Sequence, residues 1–409
     1  MPQLMALDDA LEALLAQLLP IDDGETCALD AALGRITLGD VHAAMDVPAF
    51  ANSAMDGYAV RHDDPAVKAR EPLAIIDRSL AGRPARRELA PGTCIRIFTG
   101  AALPAGADAV IAQEDATVVG DDRVRLGEEA TPGKFVRAVG GDVRAGARII
   151  ADGTRLNAAH LGVLAATGNA EVQVRRLPVV TVVTTGDELR LPGEPLGAGE
   201  IHDTSRFTLP GLLAPLPVRL AEVRHSIDDP QALRDTLVAA AAHSDALICA
   251  GGVSVGDADH VRDVLAADGE VAFWRIAIKP GKPFAFGHFR TRPFFGLPGN
   301  PVSSLVTFLL LVRPALQRLA GETPRPPLAL QARLAAPVRK NPGRRDFQRG
   351  RLRPAGADGV AEVQAFERQD SNVLSGVADA DCLIDLPADA GDLPAGAFVR
   401  VLPLEGLLG

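Results

Sequence analysis

Residues 177–185, LPVVTVVTT, constrain the fold of this chain more than any other stretch. The run is apolar and β-branched without alternation, the pattern of a strand covered on both faces, and such strands occur in parallel sheets flanked by helices. The next 130 or so residues, up to the linker at 321–327, repeat the theme. A helix is expected over 205–213, a strand at PVRLAEV (217–223), and a helix over 229–243 with Asp229 as N-cap and Pro230 in its first turn. Then come the strand DALICA, the loop GGVSVGD and the helix ADHVRDVLAAD. The strand EVAFWRIAI, the loop KPGKP, the strand RPFFGL, the loop PGNP and a long helix from Val302 complete the segment. Strands alternating with helices predict a doubly wound, mostly parallel α/β domain, whose ligands bind outside the carboxyl ends of the strands. TGDE, GGVSVGD, KPGKP and LPGNP all fall there.

The remainder divides around that domain. Residues 4–19 carry leucines at helical spacing up to Pro20, and Asn157 opens a second short helix. Between them CIRIF, DAVIAQ, ATVV and RVRL read as strands. The expected modules are a split helical module (1–45 and 143–174), an inserted β-rich module (46–142), the α/β domain (175–325) and a small C-terminal β domain of barrel type (326–409). GETPRPP is the linker to the last of these.

Composition excludes several classes. The net charge of −10 argues against nucleic acid as a partner. The N-terminus lacks the basic region of a secretory signal, and the apolar stretch 305–312 is short for a membrane span. Four scattered cysteines form no CxxC, and eight histidines form no HxxxH. A cytoplasmic protein with reduced thiols is the expectation. Of 42 basic residues only five are lysines (Lys68, Lys134, Lys279, Lys282 and Lys340), yet two of these stand three apart in IKPGKP. An ammonium is a compact point charge and a guanidinium a planar fork. A chain that avoids lysine but keeps two in one rigid turn points to a confined oxyanion; solvation of surface charge is the competing reading.

Other motifs also read two ways. The loop 251–260, GGVSVGDADH, is either a phosphate cradle before a helix or a tight βα connection. Its Asp257 and Asp259 repel an anion unless a cation such as Mg2+ intervenes. Asp187 and Glu188 in TTGDEL are turn caps or half of a metal site. LPGNPVSS offers the N–H groups of Val302, Ser303 and Ser304 to an oxyanion, or simply caps its helix. Ser53, Asp56 and Thr99 are explained by turn chemistry alone. The eight basic residues between Arg333 and Arg353 read as a solvated strand face or a local anion site.

Taken in order, NSAMDGYAVR, IFTGAALPAGADAV, TTGDEL, HDTSR, GGVSVGDADH, FWRIAIKPGKPFAFG and GLPGNPVSS resemble the molybdopterin molybdenumtransferase family, the bacterial MoeA proteins and the gephyrin E-domain. The resemblance spans essentially the whole chain. It implies insertion of molybdate into adenylylated molybdopterin, with Mg2+-dependent loss of AMP, by an elongated homodimer whose cleft lies between two subunits. By resemblance, Asp56, Thr99 and Asp142 belong to that cleft, the first two reaching it from the partner subunit. Asp187, Glu188, Asp228 and Asp259 handle Mg2+ and pyrophosphate, with Asp187, Glu188 and Asp259 as metal ligands. Gly251, Gly252 and Ser254 cradle phosphates. Asp203, Thr204, Lys279, Lys282, Pro298, Pro301, Ser303, Arg349 and Ser371 contact substrate, the division between pterin phosphate and molybdate left open.

This chain departs from the family pattern at GGD (140–142), at HDTSR (202–206) and at Arg275. Three alternatives stand beside the main reading: a molybdopterin adenylyltransferase, whose fold the α/β domain resembles; a competence-damage-type protein, which shares a related domain but lacks the NSAMDGYAV and FTG blocks present here; and a non-catalytic pterin-binding scaffold. The adenylyltransferase is also the candidate to hand over substrate.

Overall fold

The computed structural model describes residues 4–252, 260–354 and 359–408. Its centre is a six-stranded sheet in the spatial order Arg219–Ser226, Val179–Thr185, Ala246–Ala250, Arg292–Leu297, Pro283–Phe289, Gly269–Arg275. The first four strands are parallel. Pro283–Phe289 runs antiparallel to both its neighbours, so Gly269–Arg275 again points with the main set. Val179–Thr185 and Ala246–Ala250 are buried at every position, as their unbroken apolar runs require. Val180, Val182, Ile248 and Phe295 face Leu209, Leu212 and the long helix Pro301–Leu319. Val183, Leu247, Cys249 and Phe294 face Leu233, Leu237 and Val264 on the opposite layer. Alternate residues of each strand thus serve different cores, which is the doubly wound arrangement.

Helix boundaries obey local chemistry. Asp229 accepts from the N–H of Ala232 at 2.8 Å, with Pro230 in the first turn. Asn157 and His160 form a reciprocal capping box. Pro301–Leu319 has a mean hydropathy of 1.3 and is long and apolar enough to cross a bilayer, but 78% of it is buried inside the fold. It contains a π-helical turn, Phe308–Val312, just before Pro314, which has no N–H to continue the helical ladder.

The N-terminal helix Leu7–Ala16 buries Leu7, Ala10 and Leu14 in the core shared with the long helix. Gly24–Ala28 pairs antiparallel with Glu171–Arg175, and Val41–His42 with Arg148–Ile150, so segments far apart in sequence close one unit. Between them lies a second six-stranded sheet, in which the sequence reading missed Gly57–Val60 and Leu73–Ser79. A Cβ at Gly57 would run into the carbonyl of Ile111, so only glycine lets Gly57–Val60 lie against Ala109–Ala112.

Beyond the α/β sheet, Leu330–Leu334, Arg345–Arg353, Glu362–Ala365, Cys382–Leu386 and Phe398–Pro403 close into a barrel, because Arg345–Arg353 pairs with both Glu362–Ala365 and Cys382–Leu386. Ile278–Lys279 adds to it beside Arg345 and Asp346, tying the lysine turn to the barrel wall.

Candidate active site

Two adjacent clefts open where the α/β strands end. The first, of about 630 Å³, is lined by Thr185, Gly186 and Glu188, by Asp203, Thr204 and Asp228, by Gly251 and Gly252, and by the 298–301 turn. Gly251 and Gly252 adopt φ of +103° and +63°, and a Cβ on Gly251 would stand 2.7 Å from the carbonyl and the hydroxyl of Thr185. Glycine is therefore required, and it leaves the backbone open to a ligand. Thr185 is 6% exposed, and its Oγ1 has no hydrogen-bond partner among the described residues. This is an orphaned polar atom at the floor of a cleft.

Asp187 and Asp228 grip each other's backbones. The Asp228 N–H donates to Asp187 Oδ1 at 3.0 Å, and the Asp187 N–H to Asp228 Oδ2 at 3.3 Å. Each carboxylate keeps a second oxygen for another partner. Asp203 is buried and accepts from the N–H of Arg206 at 3.0 Å, starting the helix Ser205–Leu213.

The second cleft, of about 990 Å³, shares Pro283 with the first. Lys279, Lys282, Ser303, Arg339, Arg344 and Ser371 line it. Lys279 Nζ lies 3.4 Å from the buried carboxylate of Asp346, whereas Lys282 is exposed. Gly281 has φ +109° and lies so close to Thr307 on the long helix that no side chain fits between. Arg349 lines neither cleft. It is wholly buried, donates to the carbonyls of Arg368 and Asp370, and burial lowers its pKa. Lys340 is also buried, donating to three backbone carbonyls. The basic stretch thus divides: Arg349 and Lys340 are buried structural cations, Arg339 and Arg344 face the cleft, and Arg351 and Arg353 are exposed on their strand.

The backbone at the start of the long helix decides between its two readings. Of the three amides at the start of the long helix, Val302 N–H donates to the Ser371 carbonyl at 3.1 Å and Ser304 N–H to the Asn300 carbonyl at 2.9 Å. Both are therefore spent on backbone carbonyls, one in the 371 loop and one within the helix itself. Pro298 and Pro301 do line the first cleft. Asp56, Thr99 and Asp142 line neither cleft within this chain. Asp56 accepts from the N–H and hydroxyl of Thr99, both at 2.8 Å. The backbone and then the hydroxyl bond from Thr99 hold its pKa below the ordinary carboxylate value. Asp142 is exposed, its N–H donating to Val47 at 2.9 Å. Ser254, Asp257 and Asp259 lie outside the described residues.

Sequence reasoning missed Thr185, Asn300 and Asn372 in the first cleft and Gln369 in the second; Arg339 and Arg344 lay in the basic stretch whose anion-site reading it left open. Asn300 was within reach, inside LPGNP at a strand end; Asn372 and Gln369 sit in a loop without periodicity.

This geometry defines a class: a doubly wound α/β protein with a glycine-rich, carboxylate-rimmed cleft beside a cationic one. Known families agree. Residues 5–168 match the MoeA N-terminal region (domains I and II), 181–318 a probable molybdopterin binding domain, and 331–404 the MoeA C-terminal region (domain IV). The chain is 40% identical to the molybdopterin molybdenumtransferase of Haemophilus influenzae over 99% of its length and 100% of the relative's. It is 36% identical to that of a Nostoc species, covering 93% and 89%. A crystal structure of the molybdopterin biosynthesis moeA protein from Pyrococcus horikoshii OT3 superposes with a TM-score of 0.84 at 28% identity, covering 98% of this chain and 100% of that one. The chain belongs to the molybdopterin molybdenumtransferase family.

Proposed function

We propose that this chain is a transferase of molybdenum cofactor biosynthesis, inserting molybdate into adenylylated molybdopterin with release of AMP. The observation that carries the reading is the adjacency of two chemically different clefts. One has open glycine backbone and an orphaned hydroxyl, suited to phosphate oxygens. The other has lysine and arginine side chains around a serine, suited to a small tetrahedral dianion. Charge-assisted hydrogen bonds contribute ~1.5–3 kcal/mol each, so a few convergent donors offset the hydration of molybdate. The shared wall at Pro283 brings the two anions side by side, which is the positioning a transfer between them needs.

In this reading Gly251, Gly252, Ser254, Thr204, Asp203 and Pro298 shape the phosphate cleft, and Lys279, Lys282, Ser303 and Ser371 grip molybdate. Arg349 supports the loop above them. Mg2+ fits the carboxylate rim. Among the described residues no three ligating side chains converge, but Mg2+ commonly takes one or two carboxylates and fills its shell with water and substrate phosphate. Glu188, Asp187 and Asp228, with Asp259, supply only hard oxygen ligands. Bound there, Mg2+ would polarise the phosphoanhydride. Glu188→Ala should fold and bind substrate but lose AMP release; normal AMP release by this variant would remove Glu188 from the site.

We further infer a homodimer in which Asp56 and Thr99 complete the partner's cleft, with Asp142 contributing to the same composite site. Support comes from exposed Phe50, Met55 and Phe135 near Asp56, an apolar surface this chain leaves uncovered. The modules would then be bounded as the sequence suggests, at 45/46, 142/143, 174/175 and 325/326. Four free, buried cysteines suit a reducing cytoplasm, where an adenylyltransferase would supply the substrate.

A further inference from the structure

We propose that Gln369 is a positioning residue that sets the wall common to both clefts; the inference rests on assigning the cationic cleft to molybdate. The ladder between Arg345–Arg353 and Glu362–Ala365 stops at Gly350 opposite Ala365. Past it Phe366 N–H still donates to the Arg349 carbonyl at 3.0 Å, and a side chain completes the rung. Arg349 N–H donates to Gln369 Oε1 at 2.9 Å, and Gln369 Nε2 donates back to the Arg349 carbonyl at 2.9 Å and to the Phe366 carbonyl at 2.9 Å. Both amide hydrogens are spent on backbone, so although Gln369 borders the cleft it acts through the loop it holds. From below, Arg349 Nη2 takes the carbonyls of Arg368 and Asp370 at 2.8 and 3.3 Å. At its far end the loop meets the long helix, where the Ser371 carbonyl accepts from Val302 N–H at 3.1 Å.

The loop has two faces in use. Residues 366–371 line the cationic cleft and Asn372 lines the phosphate cleft. Releasing Gln369 therefore loosens the Ser371 side of one cleft and the Asn372 side of the other together. Lysine substitutions, by contrast, touch only the cationic cleft. A coupled rise in both half-saturating concentrations is the signature of a positioning role.

The test compares purified full-length Gln369→Ala and the near-isosteric Gln369→Met with wild type, Lys282→Ala and Gln317→Ala. Gln317 is a buried amide remote from both clefts, donating to the Glu322 carboxylate at 3.1 Å. Gln369→Ala and Gln369→Met should raise the half-saturating concentrations of molybdate and of adenylylated molybdopterin about tenfold, equivalent to 1.4 kcal/mol, with kcat at saturation within about twofold. Lys282→Ala should raise that of molybdate alone. If Lys282→Ala shifts molybdate use and the Gln369 variants do not, the positioning role is refuted while the cleft assignment stands. If none shifts, both fail. If Gln317→Ala at equal loss of melting temperature gives the same coupled rise, general loosening explains the effect and the role is also refuted.

Discussion

Replacing Gly281 by alanine strikes the lysine turn from beneath. The backbone there has φ +109°, a conformation L side chains rarely adopt, and a Cβ would fall well inside contact distance of Thr307 Oγ1 and 3.1 Å from Ile278 Cδ1. Thr307 is fully buried in the long helix and cannot swing away. Backbone strain of this kind costs ~1–3 kcal/mol, and forced overpacking ~1–3 kcal/mol more, giving about 2–6 kcal/mol in all. The two parts separate in a double-mutant cycle. Thr307→Ala removes the obstructing atoms but not the strain, so Gly281→Ala should cost less in that background by roughly 1–3 kcal/mol. Urea unfolding read by the fluorescence of Trp274, the chain's only tryptophan, reports on this sheet because Trp274 lies in Gly269–Arg275, the strand leading into the turn. Gly281→Ala should also weaken molybdate use, since Lys279 and Lys282 flank the displaced residue. Wild-type stability in Gly281→Ala, or strict additivity of the cycle, would refute the packing argument.

The same geometry sets further expectations. Lys282→Arg keeps charge but not shape, and should raise the half-saturating molybdate roughly ten- to hundredfold, one charge-assisted contact; the exposed control Lys68→Arg should be silent. Mixing Asp56→Ala with Glu188→Ala subunits should restore part of the activity through one intact composite cleft per heterodimer; none, with heterodimers demonstrated, would count against shared sites. Asp56 has a folded pKa below its unfolded value, so its contribution is present above the ordinary carboxylate pKa and is lost as pH falls through the depressed one. Thr99→Val should move the Asp56 titration, tracked by carboxyl NMR, part of the way up, because the backbone bond remains; an unmoved titration would contradict the hydroxyl's role.

Much of the α/β domain was legible because its signals are local. An unbroken β-branched run became the buried strand Val179–Thr185, and Asp229–Pro230 began its helix as capping chemistry predicts, as Asn157 did in the helical module. Pro283–Phe289 is hidden in the sequence because it opens on proline directly after a Pro/Gly turn, although proline is tolerated as a first strand residue. Its antiparallel return is what keeps the lysine turn on the same sheet edge as the glycine loop. At the site, the strand-end loops were readable from their position after apolar runs. The opposing wall was less so: Asn372 and Gln369 reach the clefts through long-range packing, and nothing local singles out Arg339 and Arg344 from the basic residues around them. Arg349 carried a substrate role by resemblance alone, and nothing local in the sequence reveals that its guanidinium is wholly buried and donates to backbone carbonyls.

The central claim is that one chain holds two anions side by side for a transfer between them. The direct measurement is AMP release from adenylylated molybdopterin by the purified protein, titrated with molybdate at fixed Mg2+ and repeated with the metal chelated, with cofactor formation measured in parallel. AMP release should saturate with molybdate, stop without Mg2+, and match cofactor formed one for one. AMP release indifferent to molybdate, or cofactor formed without it, would contradict the claim.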